Sequence, residues 1–210
     1  MIEISSILWD VGGVLLTNGW DHLERAAVLE QFGLESAPFE HRHEIANDPW
    51  EKGFMTADQY LAQTVFYEPR SFTPAAFLQA MKDRSLLLPN GAIRILQDLA
   101  ASEEMELAML NNEARELNDF RIERFELGRY FDVFFSSCYL GLRKPDRKFF
   151  ELALDVLQRD PEEVAFIDDR AGNCDAAAAL GIHAICYQDE AHCVQALEQL
   201  GLDIGVRTRT

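Results

Sequence analysis

The sequence predicts an α/β protein: a three-layer core around a five-stranded parallel sheet, carrying a small α-helical insert. Three observations carry this. Five short apolar runs are spread along the 210 residues. Helical patterns separate the last four of them. The gap after the first, residues 17–87, reads as helix throughout.

The runs are EISSILW (3–9), MELAML (105–110), DVFFS (132–136), EVAFI (163–167) and HAICY (183–187). Each is built from the Ile, Val, Phe, Leu or Tyr of a buried strand. Helical patterns at 113–127, 146–157 and 171–180 lie between the later runs, and one at 191–200 closes the chain. Strands alternating with helices imply βαβ units and hence a parallel sheet.

Helix-like segments at 22–32, 38–47, 57–66 and 74–86 fill the first gap. Thr56 before Ala57-Asp58-Gln59 reads as an N-cap, and so does Thr73 before Pro74, a proline at the first helical position. The insert is too long for a plain loop. The expected division is therefore a core of residues 1–16 and 88–210 and a helical cap domain of 17–87. The tail GVRTRT (205–210) is expected to fray.

Lys and Arg number 19 against 36 Asp and Glu, a formal charge of −17. That argues against nucleic acid or an anionic membrane surface as a partner, because both demand clustered basic residues. An acidic chain binds a small anion only through a local positive feature such as a metal, a lysine or a helix N-terminus. Cys138, Cys174, Cys186 and Cys193 show no CxxC spacing, which fits reduced thiols of a cytoplasmic protein. No apolar run is long enough for a bilayer, and MIEISSILWD lacks the features of a signal peptide. Monomer and homodimer are equally open.

In an open parallel sheet, ligands bind outside the carboxyl ends of the strands. Asp10 follows the first run, Asn111 and Asn112 the second, Arg143-Lys144-Pro145 the third, and Asp168 and Asp169 the fourth. The conspicuous polar residues thus fall on one edge and define one site. Alone, Asp168 and Asp169 would read as caps of the next helix, and Asn111 as a turn residue. Their company gives them chemistry. Three carboxylates on one edge repel each other, and a divalent cation resolves that. Magnesium takes oxygen ligands, one or two of them carboxylates. Asp10, Asp168 and a carbonyl near Gly12 can supply these. Lys144 keeps Asp10 ionised and can bind a phosphoryl oxygen. The N–H groups around Gly12 and Gly13 can cradle an anion, and Asn111, with Asn112 beside it, offers an amide donor. Such a set can bind and attack a phosphoryl group.

These residues resemble the motifs of the haloacid dehalogenase-like (HAD) hydrolases over nearly the whole chain. The strand ending in a nucleophilic Asp is ILWDVGGVLL, the second motif LAMLNN, the lysine motif GLRKPD and the acidic pair AFIDDRAGN. WEKGFMTADQY (50–60) is similar to a cap segment common in that group. The resemblance implies a Rossmann-like core with a cap, and Asp10 as the nucleophile that forms an aspartyl-phosphate. It also implies Mg²⁺ held by Asp10, the Gly12 carbonyl and Asp168, with Asp169 in support.

Two positions depart from the pattern. Most phosphatases of the family carry a second Asp two residues after the nucleophile, and here that position is Gly12. Their motif-two Ser or Thr is Asn111. The first change removes a general acid–base group worth ~10²–10⁴-fold for a poor leaving group. Members with a similar loop resemble sugar-phosphate phosphatases, and His22, His41, His43 and Glu51 are the sequence's substitutes for the missing acid. The expected function is a Mg²⁺-dependent phosphatase of a small phosphorylated metabolite such as a sugar phosphate. The alternatives are a non-catalytic or weakly active ligand-binding protein and a 2-haloacid dehalogenase. Dehalogenases also lack the second Asp, but they use no metal and do not usually keep a pair like Asp168 and Asp169. Asn173 is expected to support the Asp168 loop, Arg170 to face solvent or cap. The aromatics Trp20, Trp50, Phe54, Tyr60, Phe66 and Tyr67 are expected to be mostly core.

Overall fold

The computed structural model describes residues 3–102 and 104–205. The last five residues of the tail expected to fray lie outside it. Among the described residues, five strands form one parallel sheet in the order β3-β2-β1-β4-β5. They are β1 (Ser6–Trp9), β2 (Glu106–Asn111), β3 (Val133–Ser136), β4 (Val164–Asp168) and β5 (His183–Cys186). β1 is central, and Trp9 pairs with Met109 on one side and Ile167 on the other. The residues that follow these strands therefore converge around Asp10.

Strand side chains alternate between faces, and the core divides accordingly. Ile7, Trp9, Met109 and Ile167 pack on one face against Ile95, Leu96 and Leu99 of α5 (Ile93–Ser102) and Leu197 of α10 (Glu190–Gln199). Leu8, Ala108, Leu110 and Phe166 face the other way. They meet Phe149, Phe150 and Ala153 of α8 (Arg147–Leu157) and Ala177 of α9 (Ala171–Ala178). Helices thus cover both faces, giving the expected three-layer, Rossmann-like arrangement.

Residues 17–87 contribute α1 (His22–Gln31), α2 (Ser36–Glu51), α3 (Ala57–Thr64) and α4 (Pro74–Lys82). Thr56 and Thr73 cap α3 and α4 as expected, accepting from the N–H groups of Gln59 and Ala76. Trp20, Phe39, Trp50, Tyr60 and Phe77 form a second apolar cluster, joined by Ala114 and by Leu117 of α6 (Arg115–Arg124). Glu116 ties the insert to the core: it accepts from the Trp50 indole (3.2 Å) and the Ala57 N–H (2.7 Å).

Several details differ from the expectation. β1 starts at Ser6 rather than residue 3. α2 runs to Glu51 through Pro49, near its end, where the burial of Trp50 outweighs the proline's missing donor. α4 stops at Lys82, because the chain beyond it turns back: Leu86 accepts from the Thr17 N–H, and the Leu88 N–H donates to Leu15. α5 and the short α7 (Ser137–Leu140) were not expected. Phe54 and Tyr67 stand out from the core, 73% and 43% exposed.

Candidate active site

Asp10 emerges from β1 at the centre of the sheet, with its N–H donating to Ile167. Its Oδ1 accepts from the Val11 N–H at 2.8 Å and lies 3.0 Å from Lys144 Nζ. The same ammonium donates to Asp168 Oδ2 at 2.6 Å and to the Leu110 carbonyl at 2.7 Å. All three charged groups are buried. The Asp168 carboxylate also accepts from Arg170 N–H and Asn173 Nδ2, so Asn173 supports that loop as expected. Arg170 faces the insert, its guanidinium 3.4 Å from Asp21.

Carboxylate oxygens of Asp10, Asp168 and Asp169 lie within 4.8 Å of one another. Burial pushes the Asp10 carboxyl up to about 7, against the pull of Lys144 and with a push from Asp168. Burial and Asp168 raise Asp169 too. Burial pulls Lys144 down, but the two carboxylates overcome it and hold the ammonium charged. Asp169 Oδ1 is buried without a hydrogen-bond partner. A crowded carboxylate set with an orphaned oxygen fits a hard divalent cation, whose charge would hold these acids ionised.

Above this cluster a cavity of about 370 Å³ opens between core and insert. Asp10, Gly12, Asn112 and Lys144 line it from the core, and Trp20, Arg25, Asn47 and Glu51 from the insert. Gly13 does not line it: contrary to the expectation of an anion cradle, its N–H donates to the Leu16 carbonyl at 2.7 Å, and its backbone, at φ +73°, lies close against the Asp169 carboxylate.

The two asparagines are placed differently from the expectation. Asn111 turns inward and spends its amide on Asn118 Oδ1 (2.9 Å) rather than offering it to the cavity. Its register opposite Ser136 at the sheet's end buries it. Asn112 does reach the cavity, but both its polar ends bind the Lys144 backbone. Of the four acid substitutes, only Glu51 lines the cavity. His22 and His41 are exposed, and His43 is buried in the insert on Tyr60.

The sequence reading missed Asn18, Glu113 and Arg121. Asn18 reaches Asp169 Oδ2 at 3.5 Å, while Glu113 and Arg121 form a buried ion pair at 2.8 Å beside Gly12. Arg121 is hidden in RELNDFRIER, whose polar run reads as a solvated helix. The only signal was Glu113 directly after the two asparagines at a strand end.

Fold and site together define a hydrolase with an aspartate at its centre. A sequence profile of the haloacid dehalogenase-like hydrolases matches residues 4–181, and the chain belongs to this family. Flavin mononucleotide hydrolase 1 of Arabidopsis thaliana is 28% identical over 167 residues, 80% of this chain and 66% of that protein. The chain spans under a fifth of the length of several other curated relatives. Sesquiterpene phosphatase astK of Aspergillus oryzae is 28% identical over 200 residues, 92% of this chain and 94% of that one. A Bacteroides thetaiotaomicron HAD family enzyme, BT-2542, crystallised with magnesium and inorganic phosphate, superposes with a TM-score of 0.75 at 20% identity. That match covers 89% of this chain and 95% of the other, and it shows a shared fold. Among the described residues no helix is long and apolar enough to cross a membrane.

Proposed function

We propose that the protein is a Mg²⁺-dependent phosphomonoester hydrolase acting on a small, polar phosphorylated metabolite such as a sugar phosphate. The observation that carries this is the triangle of Asp10, Lys144 and Asp168, with the unpartnered Asp169 oxygen beside it. Asp10 is the nucleophile. Its carboxylate attacks phosphorus, the bond to the leaving oxygen breaks, and an aspartyl-phosphate forms that water then hydrolyses. Lys144 holds Asp10 and Asp168 at fixed separation and presents positive charge to the phosphoryl group. A Mg²⁺ ion bound by Asp10, Asp168, Asp169 and the Gly12 carbonyl would neutralise charge on the phosphoryl oxygens. The helical insert acts as a cap that excludes water and selects the substrate through Arg25, Asn47 and Glu51. Their polarity suits a hydroxylated substrate better than a hydrocarbon one.

A second possibility is binding without efficient turnover, favoured by Gly12, which leaves the usual acid–base position empty. A single assay separates the two. Purified protein is given an aryl phosphate and an alkyl phosphate, with Mg²⁺, with chelator, and as Asp10→Asn. Metal-dependent aryl turnover abolished by Asp10→Asn is the expected result. No turnover of either ester, with Mg²⁺ still raising the melting temperature, would leave the binding protein. Halide release from a 2-haloacid without metal would establish the dehalogenase instead.

A further inference from the structure

Gly12 is not glycine for backbone reasons, since its φ lies outside the left-handed region. A Cβ added at Gly12 would press on Asn18 Oδ1 at 3.0 Å and come into ordinary contact with Arg121 Nη1 at 3.8 Å, so a guanidinium borders the position; one added at Gly19 would overlap that guanidinium. Beside Gly12, Gly19 therefore makes room for Arg121. Its Nε donates to Ser85 Oγ and its Nη2 to the Thr17 carbonyl, both at 3.0 Å, while Nη1 pairs with Glu113 Oε2 at 2.8 Å. Glu113 Oε1 accepts from the Ala114 N–H. Both residues are buried, yet both line the cavity that holds Asp10 and Lys144.

We infer that the Glu113–Arg121 pair replaces the missing side chain at position 12 and that Glu113 is the general acid and base of the reaction. The inference rests on the phosphatase function proposed above. When Asp10 attacks, the P–O bond to the leaving group breaks with its electron pair on oxygen, and the Glu113 carboxyl delivers its proton there, releasing an alcohol. The resulting carboxylate is held by Arg121. In the second step it takes a proton from the attacking water; the P–O bond to Asp10 breaks, phosphate leaves, and Glu113 is protonated again. Burial pushes Glu113 up to about 7 against the pull of Arg121, with Glu51 adding a further push. That is where an acid–base group working near neutrality belongs.

The test compares wild type, Glu113→Gln and Glu51→Gln with Mg²⁺ on 4-nitrophenyl phosphate and on glycerol 1-phosphate. 4-Nitrophenolate leaves without a proton, so its pre-steady-state burst isolates the attack by Asp10. For Glu113→Gln the burst should stay within about threefold of wild type, while turnover of the alkyl ester falls ~10²–10⁴-fold. Equal loss on both esters, loss on neither, or the selective loss in Glu51→Gln alone overturns the assignment. If Glu113→Gln does not fold, wild type and Glu51→Gln still decide the matter through a series of esters of rising leaving-group pKa. A shallow dependence in both supports Glu113 as the donor; a steep one in wild type, or one that steepens in Glu51→Gln, rules it out. A wild type inactive on every ester removes the phosphatase function itself and this assignment with it.

Discussion

Asn112 holds the backbone of Lys144 at both polar ends: its Oδ1 accepts from the Lys144 N–H and its Nδ2 donates to the Lys144 carbonyl, each at 2.8 Å. The pairing joins the loop after β2 to the loop after β3 and fixes where the lysine side chain starts. Nζ must then meet Asp10, Asp168 and the Leu110 carbonyl at once, and a small shift of its backbone would break one of these contacts.

Asn112→Ala should therefore cost more than stability. Two partly buried backbone groups lose partners, at roughly 1–3 kcal/mol, and kcat/KM should fall about tenfold or more as Lys144 loosens. Thermal unfolding and steady-state kinetics check this together. A lowered melting temperature with unchanged kcat/KM would reduce Asn112 to a loop staple.

Lys144→Met removes the cation between two buried carboxylates. Breaking such a pair costs ~3–5 kcal/mol, and in chelator near pH 8 the variant should lose about that much. The loss should shrink at lower pH. Without the ammonium, the folded-state pKa of Asp10 rises further above its unfolded value. The folded chain then binds protons that the unfolded chain does not, so its stability increases as pH falls. Mg²⁺ should recover part of the loss at pH 8 by supplying the missing charge. Melting curves at pH 5 and pH 8, with and without Mg²⁺, test this, and parallel pH profiles for variant and wild type would contradict it.

How much of this was legible in the sequence depends on whether a local pattern carried the information. Asp10 and Asp168 end unbroken apolar runs, so strand and polar terminus announce each other. Thr56 and Thr73 carry their caps in adjacent residues. α5 went unread, although Ile95, Leu96 and Leu99 recur at helical spacing. The buried side of α6 was not legible. It presents Leu117, Asn118 and Arg121 inward, and two polar residues on an inner face look like a solvated face until the cavity beside them is known. Asn111 misled for the same reason: a strand-end amide looks available until Asn118 is seen to take it.

His43 should make the helical insert acid-sensitive. The Trp20 indole donates to the Tyr60 hydroxyl at 2.8 Å, so the hydroxyl's own proton goes to His43 Nδ1 at 2.7 Å. That nitrogen must stay unprotonated. Burial, helped by Arg25, lowers the ring to about 4. The unfolded chain takes up a proton near pH 6.5 and the folded one only near 4. Stability from this group is therefore full above pH 6.5 and is lost on acidification towards pH 4, by about 2–3 kcal/mol. His43→Asn keeps an acceptor that does not titrate. Its unfolding free energy should vary less between pH 6.5 and 4.5 than that of wild type, whatever its absolute stability, and an identical slope would show that the ring does not control it.

Gly12 and Gly13 should respond differently to the same methyl group. At Gly13 the backbone is left-handed and an added Cβ would overlap the Asp169 carboxylate. Gly13→Ala thus combines ~1–2 kcal/mol of backbone strain with displacement of a group expected to support the metal. It should lower the melting temperature and remove most of the further rise that Mg²⁺ produces in wild type. At Gly12 the Cβ would lie 3.0 Å from Asn18 Oδ1 and 3.8 Å from Arg121 Nη1. Only the Asn18 side chain has to give, so Gly12→Ala should cost under ~1 kcal/mol and keep the Mg²⁺-dependent rise. Thermal unfolding of both variants over a Mg²⁺ titration makes the comparison. An equal loss of the metal response in both would mean that Asn18, which links Gly12 to Asp169 at 3.5 Å, positions that carboxylate as firmly as Gly13 does.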